Sequence, residues 1–120
     1  MDGFLDELHQ AFLSVDLGQG PLDFQIDTGF SGAFLIGEEL FDLTDAIPSG
    51  EVEADLAADQ RHTFASFKQV IHWLGDEALV PILVGPGKDC LIGTAMFNPH
   101  RLEIDFAVRT VRLTPHADWM

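Results

Sequence analysis

Asp27, Thr28 and Gly29 are the residues of this chain best arranged to do chemistry. They follow an alternating apolar run, Leu22, Phe24 and Ile26, of the kind that buries one face of a strand. A strand that ends in a short acid delivers one carboxylate where the chain leaves the sheet and can meet a ligand. The Thr28 hydroxyl, both donor and acceptor, can tie the turn together, and Gly29 lets another backbone approach closely. A carboxylate presented in this way suits general acid–base work on a water molecule. The same tripeptide also makes an ordinary turn after a strand, so its meaning depends on the residues around it.

Other chemistries find less support. His9, His62, His72, His100 and His116 show neither the i, i+4 pairing nor the cysteine partner of a metal site, so no metal is expected. No glycine-rich phosphate loop is present, and no cofactor is expected. Ser31 lacks the Gly-x-Ser-x-Gly elbow of a serine hydrolase. Cys90, next to Leu91 and Ile92, reads as a small core residue.

The chain has 120 residues, 47% of them hydrophobic and ten of them Phe, which suits one globular domain over residues 1–120. A formal net charge of −14 repels phosphate, so neither nucleic acid nor an anionic membrane surface is an expected partner. No apolar run is long enough to span a bilayer as a helix. The first residues, Met1 to Glu7, carry no basic region, and a secretory signal is not expected. A lone cysteine fits a reducing compartment, and the cytoplasm is the expected location.

The elements that must position Asp27 are short strands. Phe4–Asp6 and Phe12–Leu17 read as strands, and Gly18–Pro21 turns the chain into the Asp27 strand. Ala33–Ile36 reads as a buried strand, Glu38–Phe41 as one or two helical turns, and Ile47–Gly50 as a break. Glu51–Leu56 and Thr63–Gln69 predict a hairpin around Ala58–Arg61, and Val70–Leu74 with Leu79–Val84 a second one around Gly75-Asp76. Leu91–Gly93 follows as a strand, then a short helix over Thr94–Asn98, then a closing hairpin of Leu102–Phe106 and Thr110–Leu113. Many short strands with frequent Gly and Pro turns predict an all-β, small closed barrel with one or two short helices.

The order of two motifs makes the reading more specific. Asp27-Thr28-Gly29-Phe30-Ser31-Gly32 comes early, and Leu91-Ile92-Gly93-Thr94 about two thirds of a domain later. Together with the tail from Leu102 to Leu113, this resembles a single lobe of the bacterial clan AA, retropepsin-like aspartic proteases, over nearly the whole chain. The resemblance implies an acid-protease barrel lobe that works as a twofold homodimer, because one chain carries one Asp-Thr-Gly and the reaction needs two carboxylates sharing a proton. It implies that Asp27 is the catalytic acid/base, that Thr28 cross-links the two loops, and that Gly29 faces the substrate backbone. Leu91, Ile92 and Gly93 would support that loop, with Leu91 or Ile92 lining a substrate pocket. The Ala58–Arg61 hairpin corresponds to the flap, with Asp59, Gln60 and Arg61 at its tip against an extended peptide or protein substrate. Two departures stand out: Phe30 is bulky where viral relatives have a small residue, and Gln60 occupies a flap-tip position where glycine is common. Those departures keep a second reading open, a retropepsin-like domain that dimerises or binds peptide without turnover.

Overall fold

The computed structural model describes residues 1–57 and 60–117. Leu13, Val15 and Leu17 alternate with exposed neighbours and are buried, as half-buried strand residues should be. They belong to β2 (Ala11–Asp16) and the turn after it, which leads into β3 (Pro21–Ile26), the strand that ends one residue before Asp27. β2 and β3 pair antiparallel with Leu13 opposite Phe24. Ahead of them, β1 (Asp2–Leu5) pairs with β2 through Phe4 and Leu5.

β4 (Phe34–Gly37) is buried on both faces, which its uninterrupted apolar sequence requires. Phe34 and Ile36 join the main core, where the Phe34 ring meets Phe24 edge-on at 5.2 Å and Trp73 at 6.3 Å. Leu35 points to the other side, into a second cluster with Phe30, Phe64 and Leu83. After one turn over Glu38–Leu40, closed by Leu40 and Phe41 N–H groups on the Gly37 carbonyl, the chain reaches two long hairpin strands. These are β5 (Ile47–Ala57) and β6 (Gln60–Trp73), followed by β7 (Asp76–Gly85). Trp73 pairs with Asp76, so Leu74 and Gly75 alone form the β6–β7 turn, both with positive φ (52° and 89°). β8 (Cys90–Ile92), a 3₁₀ turn (Thr94–Met96), β9 (Arg101–Asp105) and β10 (Thr110–Thr114) complete the chain.

All ten strands form one sheet in the order β5-β6-β7-β4-β8-β3-β2-β1-β10-β9. β1 joins its two parts, giving Asp2 and Gly3 to β10 and Phe4 and Leu5 to β2. The expected all-β lobe is present, but among the described residues the sheet is open, with β5 and β9 at its ends, where a closed barrel was expected. Two local expectations also change. Ile47–Gly50 does not break the chain but begins β5, with Pro48 opposite Phe67 and a register shift before Glu51. Proline is tolerated there because β5 is an edge strand, and Ser49 Oγ–H donates to the buried Ser66 Oγ at 2.9 Å. The runs Thr63–Gln69 and Val70–Leu74 are not separate strands but lie within the single strand β6 and its turn, whose two ends pair with different neighbours. Of the short helices expected, the described residues contain the 3₁₀ turn and the single turn after β4.

Candidate active site

The Asp27 loop is held by the strand it crosses. β8 lies between β3 and β4, parallel to β3 and antiparallel to β4, so the chain leaving β3 must arch over the C-terminal end of β8 to reach β4. Asp27 and the residues up to Ala33 form that arch. Asp27 N–H donates to the Ile92 carbonyl at 3.0 Å, and Gly93 N–H to that of Ala33 at 2.9 Å. Thr94 N–H donates to the Phe30 carbonyl at 2.9 Å, and Ala95 N–H to Gly32 at 3.3 Å. The arch is therefore pinned along its length by one short segment, Ile92–Ala95.

Within the arch, Asp27 Oδ1 accepts the Gly29 N–H at 2.9 Å, and the Asp27 carbonyl accepts the Phe30 N–H at 3.1 Å. This is an Asx-type turn, in which a short acid holds its own backbone. The bond orients the carboxylate while leaving Asp27 half-buried, with Thr28 and Gly29 exposed beside it.

Gly93 is where the sequence has no freedom. Its backbone is extended (φ −106°, ψ 179°), a conformation open to any residue. A Cβ there would strike the carbonyl oxygen of Gly32, that of Phe30 at 2.5 Å and the Phe30 ring at 2.7 Å. Lack of space, not backbone torsion, demands glycine.

Beside the arch lies a groove of about 450 Å³. Gly29, Phe30, Ser31 and Gly32 form one wall, and Val52, Glu53, Ala54 and Arg61 of the β5–β6 hairpin face them, with Leu83 of β7 also lining it. The Arg61 guanidinium is 3.7 Å from Glu53, and both side chains are mostly exposed. The Asp27 carboxylate is not part of this lining, although Gly29, which it binds, is.

The residues singled out from sequence thus fall in three places. Asp27, Thr28, Gly29 and Phe30 form the arch, and Phe30 is 5% exposed, its ring packed in the second core cluster beneath the groove. Leu91 is half-buried against that same cluster, and Ile92 is fully buried in the main core, so neither lines this groove. Together with Gly93 they underlie the arch. Of the hairpin residues, Arg61 lines the groove, Gln60 pairs with Ala57 at the start of β6, and Asp59 lies outside the described residues. Val52, Glu53, Ala54 and Leu83 were not legible as groove residues. Leu83 sits in an unbroken apolar run, and only its pairing with both Leu35 and Ser66 brings it there.

Elsewhere, Cys90 is buried, and burial pushes its thiol pKa up, with Asp89 adding to the rise against a hydrogen bond to the Gly37 backbone. That favours an inert thiol over a nucleophile. Among the described residues no three His, Cys, Asp or Glu side chains gather as a metal-ligating group, and no helix is long and apolar enough to cross a membrane.

No protein-family model matches the sequence, and no curated protein is similar to it. Among solved structures, the chain is similar to a retropepsin-like aspartic protease from Rickettsia conorii. The TM-score is 0.64 at 19% identity, over 94% of this chain and 88% of that one. At that identity the likeness speaks for the fold: this chain folds as a retropepsin-like lobe.

Proposed function

We propose that the protein is an aspartic endopeptidase in which two copies of the chain each contribute Asp27 to one catalytic pair. One observation carries the reading. Asp27 sits in a turn pinned by Ile92–Ala95 next to a groove faced by a β-hairpin, within a retropepsin-like fold. With a single Asp-Thr-Gly per chain, the second carboxylate comes from a twofold mate.

In the proposed reaction the ionised carboxylate takes a proton from the water held between the pair, and the water oxygen attacks the peptide carbonyl carbon. The protonated carboxyl donates to the carbonyl oxygen, giving a tetrahedral diol. Collapse of the diol breaks the C–N bond, and a proton passes to the leaving amine. Thr28 would link the two loops and Gly29 would face the substrate backbone. An extended peptide would lie along the groove between Phe30–Gly32 and Val52–Ala54, with Asp59, Gln60 and Arg61 belonging to the flap over it. The cytoplasm suits a chain with one buried thiol.

The test is cleavage of denatured casein by purified protein over a pH series, with Asp27→Asn as control. The wild type is expected to cut best on the acidic side of neutral, because the pair must hold one proton. Asp27→Asn should keep the circular dichroism spectrum and melting temperature and lose at least about 10³-fold in rate, the scale of removing one partner of an acid–base pair. Cleavage by Asp27→Asn at the wild-type rate would overturn the role of Asp27. The second reading, peptide binding without turnover, draws on the position of the carboxylate outside the groove lining of the single chain. Casein retained but uncut at every pH would favour it.

A further inference from the structure

The sheet has two open ends among the described residues, and they are built differently. β5 carries Pro48, Gly50 with φ +94°, a register shift between Pro48 and Glu51, and the exposed acids Glu51 and Glu53. Proline, bulges and like charges are the devices by which an edge refuses another strand. β9 has no Pro, no Gly and no bulge, and it pairs with β10 through five consecutive residues. Its own sequence, Arg101-Leu102-Glu103-Ile104-Asp105, reads the same way from either end in charge and polarity, apart from the sign at its two termini.

We propose that β9 pairs edge to edge with β9 of a second copy, antiparallel and centred on Glu103, so that a continuous sheet crosses the molecular twofold. The register follows from side-chain matching. Centred on Glu103, Arg101 lies opposite the partner's Asp105 and Asp105 opposite the partner's Arg101. Leu102 faces the partner's Ile104, on the side where both residues already pack half-buried against the core. A shift by one residue would set apolar side chains against charged ones. Phe106, 62% exposed just past the end of β9, would come opposite the partner's His100.

Charge also favours this edge. Residues 101–114 hold three of the six Lys and Arg residues of the chain, Arg101, Arg109 and Arg112, against two acids, Glu103 and Asp105. That hairpin is net +1 in a chain of net −14, so it is where two strongly acidic molecules can approach with least repulsion. The inference rests on the reading above for its need of a second copy, while the register comes from β9 alone.

The experiment is disulfide trapping at the proposed axis, joined to sedimentation equilibrium. Directly opposite residues of an antiparallel pair have Cα atoms about 4.5–5.5 Å apart, within disulfide range. Glu103→Cys is therefore expected to form a covalent dimer on mild oxidation, while Glu53→Cys on the other edge does not; the buried Cys90 contributes no background. In sedimentation, Arg101→Glu sets like charges at both ends of the pairing and should weaken the dimer about tenfold at low salt. Glu103→Gln removes the one like-charge opposition, at the axis, and should tighten it. Both side chains are largely exposed, so both variants keep the wild-type melting temperature to within a few degrees. A dimeric wild type whose Glu103→Cys variant does not cross-link, or a wild type that stays monomeric at about 100 μM, would overturn the β9 interface. Casein assays on the same samples separate the two ideas. A trapped dimer that cuts nothing leaves the interface standing and removes the protease. A cutting enzyme without the cross-link does the reverse.

Discussion

Asp27 and Gly93 illustrate two ways in which one residue is committed to a site. Asp27 is committed by its chemistry: it is the acid at the mouth of the strand, and its Oδ1 spends one lone pair on the Gly29 N–H. Gly93 is committed by space alone, since a methyl group there meets two backbone carbonyls that are themselves fixed by hydrogen bonds to Thr94 and Ala95. Neither carbonyl can withdraw without breaking the clamp on the arch. Gly93→Ala is therefore expected to destabilise the protein by about 1–3 kcal/mol, as overpacking does. At this chain length that is a fall in melting temperature of about 4–12 °C. Proteolysis should suffer more than stability predicts, because the displaced atoms are those of the catalytic arch. A Gly93→Ala variant with the wild-type melting temperature would show that the arch is less tightly held than these contacts imply.

At the scale of elements, the segment after β10 is tied back to the loop before β9. His116 N–H donates to His100 Nδ1 at 3.2 Å, which requires that nitrogen to be unprotonated. Burial, with nearby His116 adding, holds the His100 pKa below the ordinary imidazole value. The sign follows: the unfolded chain takes up the proton more readily, so the stabilising contribution is complete above the ordinary imidazole pKa of about 6.5 and is lost as pH falls below it toward the folded value. An NMR titration should show a His100 midpoint below that of a free imidazole. His100→Asn should also lose less stability than the wild type between pH 7.5 and pH 5.5. A His100 midpoint at or above the free value would contradict the tether. The acidic conditions that suit a carboxylate pair would thus loosen this end of the chain first.

For the molecule as a whole, the net charge of −14 sets a general self-repulsion against a few ion pairs. The pairs Arg61–Glu53, Arg101–Glu103 and Arg112–Asp2 join side chains that are about half or more exposed, so each contributes little. Screening should therefore remove more repulsion than attraction. The thermal midpoint is expected to rise as NaCl goes from about 10 mM to about 0.3 M, over which the screening length shrinks from about 30 Å to under 10 Å. A falling midpoint over that range would mean that specific ion pairs outweigh the repulsion.

The local rules were sufficient wherever a short stretch carries its own reason. The Leu22–Ile26 alternation, the glycine turn before it, the buried run of β4 and the Asp27 turn all follow from period, turn chemistry and one acid. Ile47–Pro48 read as a break because proline and glycine interrupt strands locally, yet an open edge with a bulge accommodates both, and being an edge is a property of the whole sheet. The groove residues Val52, Ala54 and Leu83 carry no chemistry of their own, and they face Phe30 only because β8 threads between β3 and β4 and stacks the hairpin over the arch. Residue types name the chemistry that is available. Which side chains share a cavity depends on contacts between strands fifty residues apart, and no short-range pattern records those.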